Sequence, residues 1–111
     1  MSREERVARN ETLFREVNER IKQVSEGLAE PGGEADFLCE CGDPGCTAPV
    51  SLTLAEYEEV RGKPTLFAIV PGHSDADVEV VVAVNERFAV VEKVDPEAAR
   101  IAVREDPRSD A

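Results

Sequence analysis

The chain has 111 residues, enough for one domain and too few for two, and 41 % of them are hydrophobic, enough to form a core. Its longest apolar runs, Leu66 to Val70 and Val80 to Val84, fall far short of the roughly 20 residues that cross a bilayer. Thirteen Lys/Arg against 24 Asp/Glu give a formal net charge of −11, which argues against binding nucleic acid, where phosphate contacts supply most of the affinity.

The acidity is uneven. Residues 1–30 carry six basic and seven acidic side chains, net −1, so the remaining −10 lies in residues 31–111. Such an excess serves as a solvated surface or as a face for a basic partner. Met1 to Arg6 alternates charge where a secretory signal would be apolar, so the expected compartment is the cytoplasm, with no membrane partner.

The first predicted element is a long amphipathic helix over residues 1–30. Ser2 and Glu5 have the spacing of a capping box, and Pro31-Gly32-Gly33 ends the segment. Val7, Phe14, Val17, Ile21, Val24 and Leu28 recur at steps of three and four, with Asn10 at the one polar place in the register. This is a heptad-like seam. At about 38 Å for 25 residues the helix is longer than a small body covers. Two uses of the seam stay open. It packs on the chain's own sheet, with Leu13 widening the stripe, or it pairs with a second copy or a partner protein, with Asn10 helping to set register.

After a linker over residues 31–36, a domain spanning 37–105 is expected. It begins with Phe37-Leu-Cys39-Glu-Cys41-Gly-Asp-Pro-Gly-Cys46, which holds all three cysteines. Gly42 and Gly45 bracket Asp43-Pro44, a turn that brings three sulfurs toward one point, as in zinc knuckles. An odd cysteine count in a chain without an export signal argues against a disulfide framework. His73, the sole histidine, follows an apolar run in the turn Pro71-Gly72-His73 and supplies the fourth ligand. Cys39, Cys41, Cys46 and His73 would bind one structural Zn²⁺, since four protein ligands leave no position for a catalytic water. Thiol redox chemistry is the alternative, although no basic residue between Glu34 and Glu59 is there to depress a thiol pKa.

The rest reads as a small α+β unit. Thr53 and Glu56 form a second capping box, and Leu54, Tyr57 and Val60 share a helix face that ends at Arg61-Gly62-Lys63-Pro64. Leu66 to Val70, Val78 to Val84 and Arg87 to Val94 predict three strands in an antiparallel meander. Asp95-Pro96 opens a short helix to about Arg104, and residues 106–111 form a flexible tail. The fold class is therefore α+β: long N-terminal helix, zinc knuckle, short helix, three-stranded antiparallel sheet and short C-terminal helix.

Cys39-Glu-Cys41-Gly-Asp43, Leu52-Thr-Leu-Ala-Glu56-Tyr57-Glu58-Glu-Val60-Arg61, Pro71-Gly72-His73, Val90-Val-Glu92-Lys93 and Asp106-Pro-Arg108, with Ala8-Arg-Asn-Glu11 and Phe14-Arg-Glu-Val-Asn-Glu-Arg-Ile21 upstream, span nearly the whole chain. Together they resemble an uncharacterised family of small proteins common in high-GC Gram-positive bacteria. The resemblance implies a cytosolic, bacterial, metal-binding protein and carries no activity. The SWIM-type finger also begins C-x-C and has a third cysteine, but its histidine follows that cysteine by two residues, where this chain has Ala48.

Nucleophile elbows, P-loops and dinucleotide fingerprints are absent, so no catalytic residues are assigned. Acidic pairs such as Asp75/Asp77 arise by composition alone. The sequence therefore points to a zinc-stabilised interaction or regulatory module that binds a protein partner or itself through the N-terminal helix. The alternative is a thiol sensor in which cysteine oxidation releases zinc, and a small enzyme is the weakest reading.

Overall fold

The computed structural model describes residues 2–28 and 32–108; nothing is said of the side chains of Glu4 and Leu28, so the last seam position lies outside the described residues. In chain order the elements are α1 (Arg3–Leu28), β1 (Glu34–Leu38), β2 (Pro49–Thr53), α2 (Leu54–Val60), β3 (Leu66–Ile69), β4 (Glu79–Val84), β5 (Ala89–Lys93) and α3 (Pro96–Arg104). The α+β class holds, with the long helix first and the short one last.

Local signals act where the sequence places them. The Ser2 hydroxyl accepts from the Glu5 N–H at 3.1 Å. At α2 both halves of the capping box form, Thr53 Oγ1 accepting from Glu56 N–H and the Glu56 carboxylate from Thr53 N–H. Asp95 caps α3, with Pro96 in its first turn.

Long-range pairing departs from expectation in two places. The segment expected as a linker over 31–36 contributes Glu34, Ala35 and Asp36 to β1, which pairs antiparallel with β2 in a second, two-stranded sheet. The three later strands do not form a meander, because their order is β3-β5-β4. The connection from Val70 to Val78 carries the chain past the place of β5, which then inserts between its predecessors. That central position explains why Ala89, Val90, Val91 and Lys93 are all buried.

Two apolar clusters lie on opposite faces of β5. Phe37, Leu52, Tyr57, Val60 and Val90 form one, where the Phe37 and Tyr57 rings stack at 4.5 Å. Cys39, Cys41, Phe67, Ile69 and Val91 form the other, so the knuckle is built onto the sheet.

The buried face of α1 differs from the one its apolar periodicity marks. Ala8, Glu11, Thr12, Arg15 and Asn18 are buried, whereas Leu13, Val17 and Val24 are exposed, and Val7, Asn10, Phe14 and Ile21 are half-buried. At 100° per residue the two faces are about a third of a turn apart. The reason is chemical: the inward charged side chains meet opposite charges from other elements. Arg15 pairs with Glu40, and Lys93 lies between Glu11 and Glu79, all essentially without solvent exposure. Arg15 also stacks on the Phe67 ring at 3.7 Å. Asn10, expected to set helix register, donates instead to the Gly42 carbonyl at 3.2 Å. Ile21 packs against the Phe37/Tyr57 cluster. Half of the seam thus serves this domain, and Val17 and Val24 point to solvent.

The expected tail is also partly held. Asp106 pairs with Arg61, and Arg108 pairs with Glu19 and with Glu58 at 2.7 Å, joining the chain end to α1 and α2. Residues 109–111 lie outside the described residues.

Candidate metal centre

Each predicted ligand is presented by a turn that its own sequence dictates. Beyond β1, the Cys39 N–H donates to the Ala48 carbonyl and the Glu40 N–H to the Ala68 carbonyl of β3, fixing the C-x-C segment between the two sheets. Gly42 then takes φ +80°, a region that disfavours any residue with a Cβ. A Cβ there would also lie 2.7 Å from Val7 Cγ1 of α1. Asp43 accepts from Gly45 N–H through its side chain and from Cys46 N–H through its carbonyl, so the Pro44 turn folds Cys46 back over the site. Pro71 and Gly72, the latter at φ +93°, form a type II turn closed by His73 N–H to the Val70 carbonyl at 3.0 Å.

These turns bring together all four predicted ligands. The ligand atoms of Cys39, Cys41, Cys46 and His73 lie within 4.8 Å of one another. His73 Nδ1 is 3.6 Å from Cys39 Sγ and 3.7 Å from Cys46 Sγ. A tetrahedral ion with bonds of about 2.3 Å to sulfur and about 2.0–2.1 Å to nitrogen holds S and N about 3.5–3.6 Å apart. The donor set therefore fits a tetrahedral cation that prefers thiolate and imidazole.

Electrostatics agree. Burial pushes the Cys39 and Cys41 thiols up, so the sulfurs favour the protonated state until a cation compensates. Backbone donors are in place for the thiolate form: Val70 N–H reaches Cys39 Sγ at 3.2 Å, and Asp43 N–H serves Cys41. Cys39 and Cys41 are buried, Cys46 is half-buried and His73 is exposed, so the site lies just beneath the surface. Cys41 and His73 border a cleft of about 690 Å³ shared with Arg3 and Asp75. Arg3 pairs with Asp75 at 2.6 Å, linking the first turn of α1 to the loop that follows His73.

Sequence reasoning missed the supporting shell. Glu40, between two ligands, turns away from them and is fully buried. Its carboxylate accepts from Arg15 at 3.2 Å, Asn18 at 2.9 Å and the Ala68 N–H at 3.0 Å. Asn18 additionally bridges the Leu38 N–H and carbonyl. A signal existed: in an extended C-E-C segment the middle side chain faces opposite to its neighbours, so two inward sulfurs place Glu40 toward whatever covers the other side. That cover is α1.

Comparison with protein-family models, curated proteins and solved structures gives no match for this chain. Among the described residues no helix is long and apolar enough to cross a membrane.

Proposed function

We propose that the protein is a zinc-stabilised interaction module. Convergence of three sulfurs and one imidazole nitrogen within 4.8 Å carries this reading. Four protein ligands saturate a tetrahedral ion and leave no open position, so the metal's role is structural. The outward part of α1, with Leu13, Val17 and Val24 exposed, is the surface offered to a protein partner. The family resemblance carried by the C-x-C-x4-C and Pro-Gly-His motifs supports metal binding and is silent on the partner.

Protein purified without chelator should contain about one Zn²⁺ per chain and give an absorption spectrum with three sulfur and one nitrogen neighbours. Substoichiometric metal after gentle purification would refute the reading. The half-buried Cys46 favours a second role on the same site, in which oxidation of that thiolate expels the metal. Zinc release on peroxide treatment, reversed by reductant, would establish it.

A further inference from the structure

Two of the four candidate ligands approach the surface, and their surroundings differ. Cys46 is half-buried and packs with Ala48 and Val70 against the Phe67/Ile69 cluster, an apolar flank. His73 is exposed and shares with Cys41, which is only 7 % exposed, the cleft of about 690 Å³ beside the first turn of α1. The cleft thus joins solvent to a buried thiol. Three carboxylates line it, Asp43 from the knuckle and Asp75 and Asp77 from the loop after His73, against the single guanidinium of Arg3. Arg3 spans Asp75 at 2.6 Å and Asp77 at 3.4 Å, while Asp43 faces no cation in the cleft. One positive charge against three negative ones leaves an excess of two.

We propose that this cleft is the route by which metal exchanges with the Cys39, Cys41, Cys46 and His73 site, and that its carboxylates steer free hydrated divalent cations toward the thiols. The proposal rests on the metal reading above and adds the path and the ionic form of the metal taken up. Acids alone would be a solvated surface. What gives these a use is the set of three sulfurs and one imidazole nitrogen, within 4.8 Å of one another, that two of the cleft's own residues belong to. A recess lined by one sign of charge focuses the field and raises the local concentration and arrival rate of counter-ions. One dication enters as another leaves, so exchange transfers no electron and no net charge.

Arg3 sets the strength of the steering. It is the one cation in the cleft, and it comes from α1, so the long helix tempers the field at the mouth of the site. The chain as a whole, at −11, also attracts cations, but that attraction is spread over its surface, whereas the cleft acts where the ligands are. Removing one charge from the cleft and one from a remote turn therefore separates the two effects.

The test uses the full zinc-loaded chain with Cd²⁺ as the probe, a soft dication that displaces zinc from thiolates and gives an ultraviolet charge-transfer band as it does so. The exchange rate should rise with cadmium concentration. Asp77→Asn, at a side chain 74 % exposed, should slow exchange about three- to fivefold at low ionic strength, and Arg3→Gln should speed it by a similar factor. Glu86→Gln removes the same charge in the turn at the far end of β4 and should stay within about 1.5-fold of wild type. Sodium perchlorate at about 0.5 M should shrink every difference. Opposite signs at Asp77 and Arg3 decide the matter, because simple loss of their ion pair would loosen the loop and move both rates the same way. Exchange independent of cadmium concentration, equal slowing in Glu86→Gln and Asp77→Asn, or faster exchange in both Asp77→Asn and Arg3→Gln overturns the proposal and leaves the zinc reading standing. A gently purified chain that holds no zinc overturns both.

Discussion

Arg15 of α1 and Glu40 of the C-x-C segment form an ion pair at 3.2 Å, with side chains 1 % and 0 % exposed, and the carboxylate lies between two candidate metal ligands in sequence. The pair makes the long helix part of the support of the candidate metal centre. Its members are also held by neutral partners, Arg15 by the Pro64 carbonyl and Glu40 by Asn18, so the charges are compensated on both sides.

Glu40→Gln should therefore cost more than its small change in shape suggests. It leaves the Arg15 guanidinium buried without its counter-ion, a loss of about 3–5 kcal/mol in comparable buried pairs. Metal affinity should fall by about 10–100-fold, the usual effect of removing a residue that orients ligands. Chemical unfolding and competition with a chromophoric zinc chelator measure the two effects separately.

Gly42 and Gly45 should differ sharply in their tolerance of alanine. Gly42→Ala forces a Cβ into the positive-φ region and against Val7, so it should destabilise by about 1–3 kcal/mol and loosen the contact between α1 and the knuckle. At Gly45 the same atom meets only Asp43 Oδ1 at 3.4 Å, an ordinary contact, so Gly45→Ala should stay within about 0.5 kcal/mol. Thermal unfolding of the two variants side by side checks the contrast.

The buried Glu11–Lys93–Glu79 group makes stability fall as pH rises from the acid range to about 8. Burial pushes the Glu11 carboxyl from 4.5 up to about 8, opposed by Lys93 and reinforced by Glu79. Between those values the folded chain keeps a proton that the unfolded chain has released. The contribution is thus complete below about pH 4.5, declines by up to about 1.4 kcal/mol per pH unit, and levels off above about pH 8. Metal binding has the opposite slope, because thiolates form more readily as pH rises. Denaturant titrations of wild type and Glu11→Gln from pH 5 to 9 separate the two, since only the wild type should show the Glu11 decline.

Substitutions on α1 should sort by face. Phe14→Glu with Ile21→Glu drives charge against half-buried positions, one of them on the Phe37/Tyr57 cluster, and should destabilise the domain by several kcal/mol. Val17→Glu with Val24→Glu alters exposed positions and should leave the melting temperature nearly unchanged while removing any partner bound there. Thermal unfolding together with a binding or solution-mass measurement on each double variant distinguishes the surfaces.

What was legible in the sequence was whatever is written locally or has few chemical uses. Thr53 with Glu56 and Asp95 with Pro96 define helix starts within four residues, so α2 and α3 fall where expected. Three cysteines around a tight turn and one histidine in another have few common purposes, so the ligand set could be named before its geometry. Features that depend on distant partners were hidden. Nothing near β4 reveals that β5 enters between it and β3. Apolar periodicity misplaced the inner face of α1 because it treats Glu11 and Arg15 as solvent-facing, while their counter-charges, Lys93 and Glu40, lie 82 and 25 residues away. Arg108 likewise looked like part of a polar tail until Glu19 and Glu58 gave it a place.

The spacing of the ligands along the chain has a kinetic and entropic side as well. Cys39 and His73 are 34 positions apart, and between them lie β2, α2 and β3. A cation gripping both ends ties that stretch into a ring, and in the denatured chain such a ring forbids most of the conformations an open segment explores. For a loop of this size the cross-link model assigns about 4 kcal/mol to the restriction. Metal loss would then relax three secondary elements at once, and refolding without metal would have to find the ring's closure by diffusion alone.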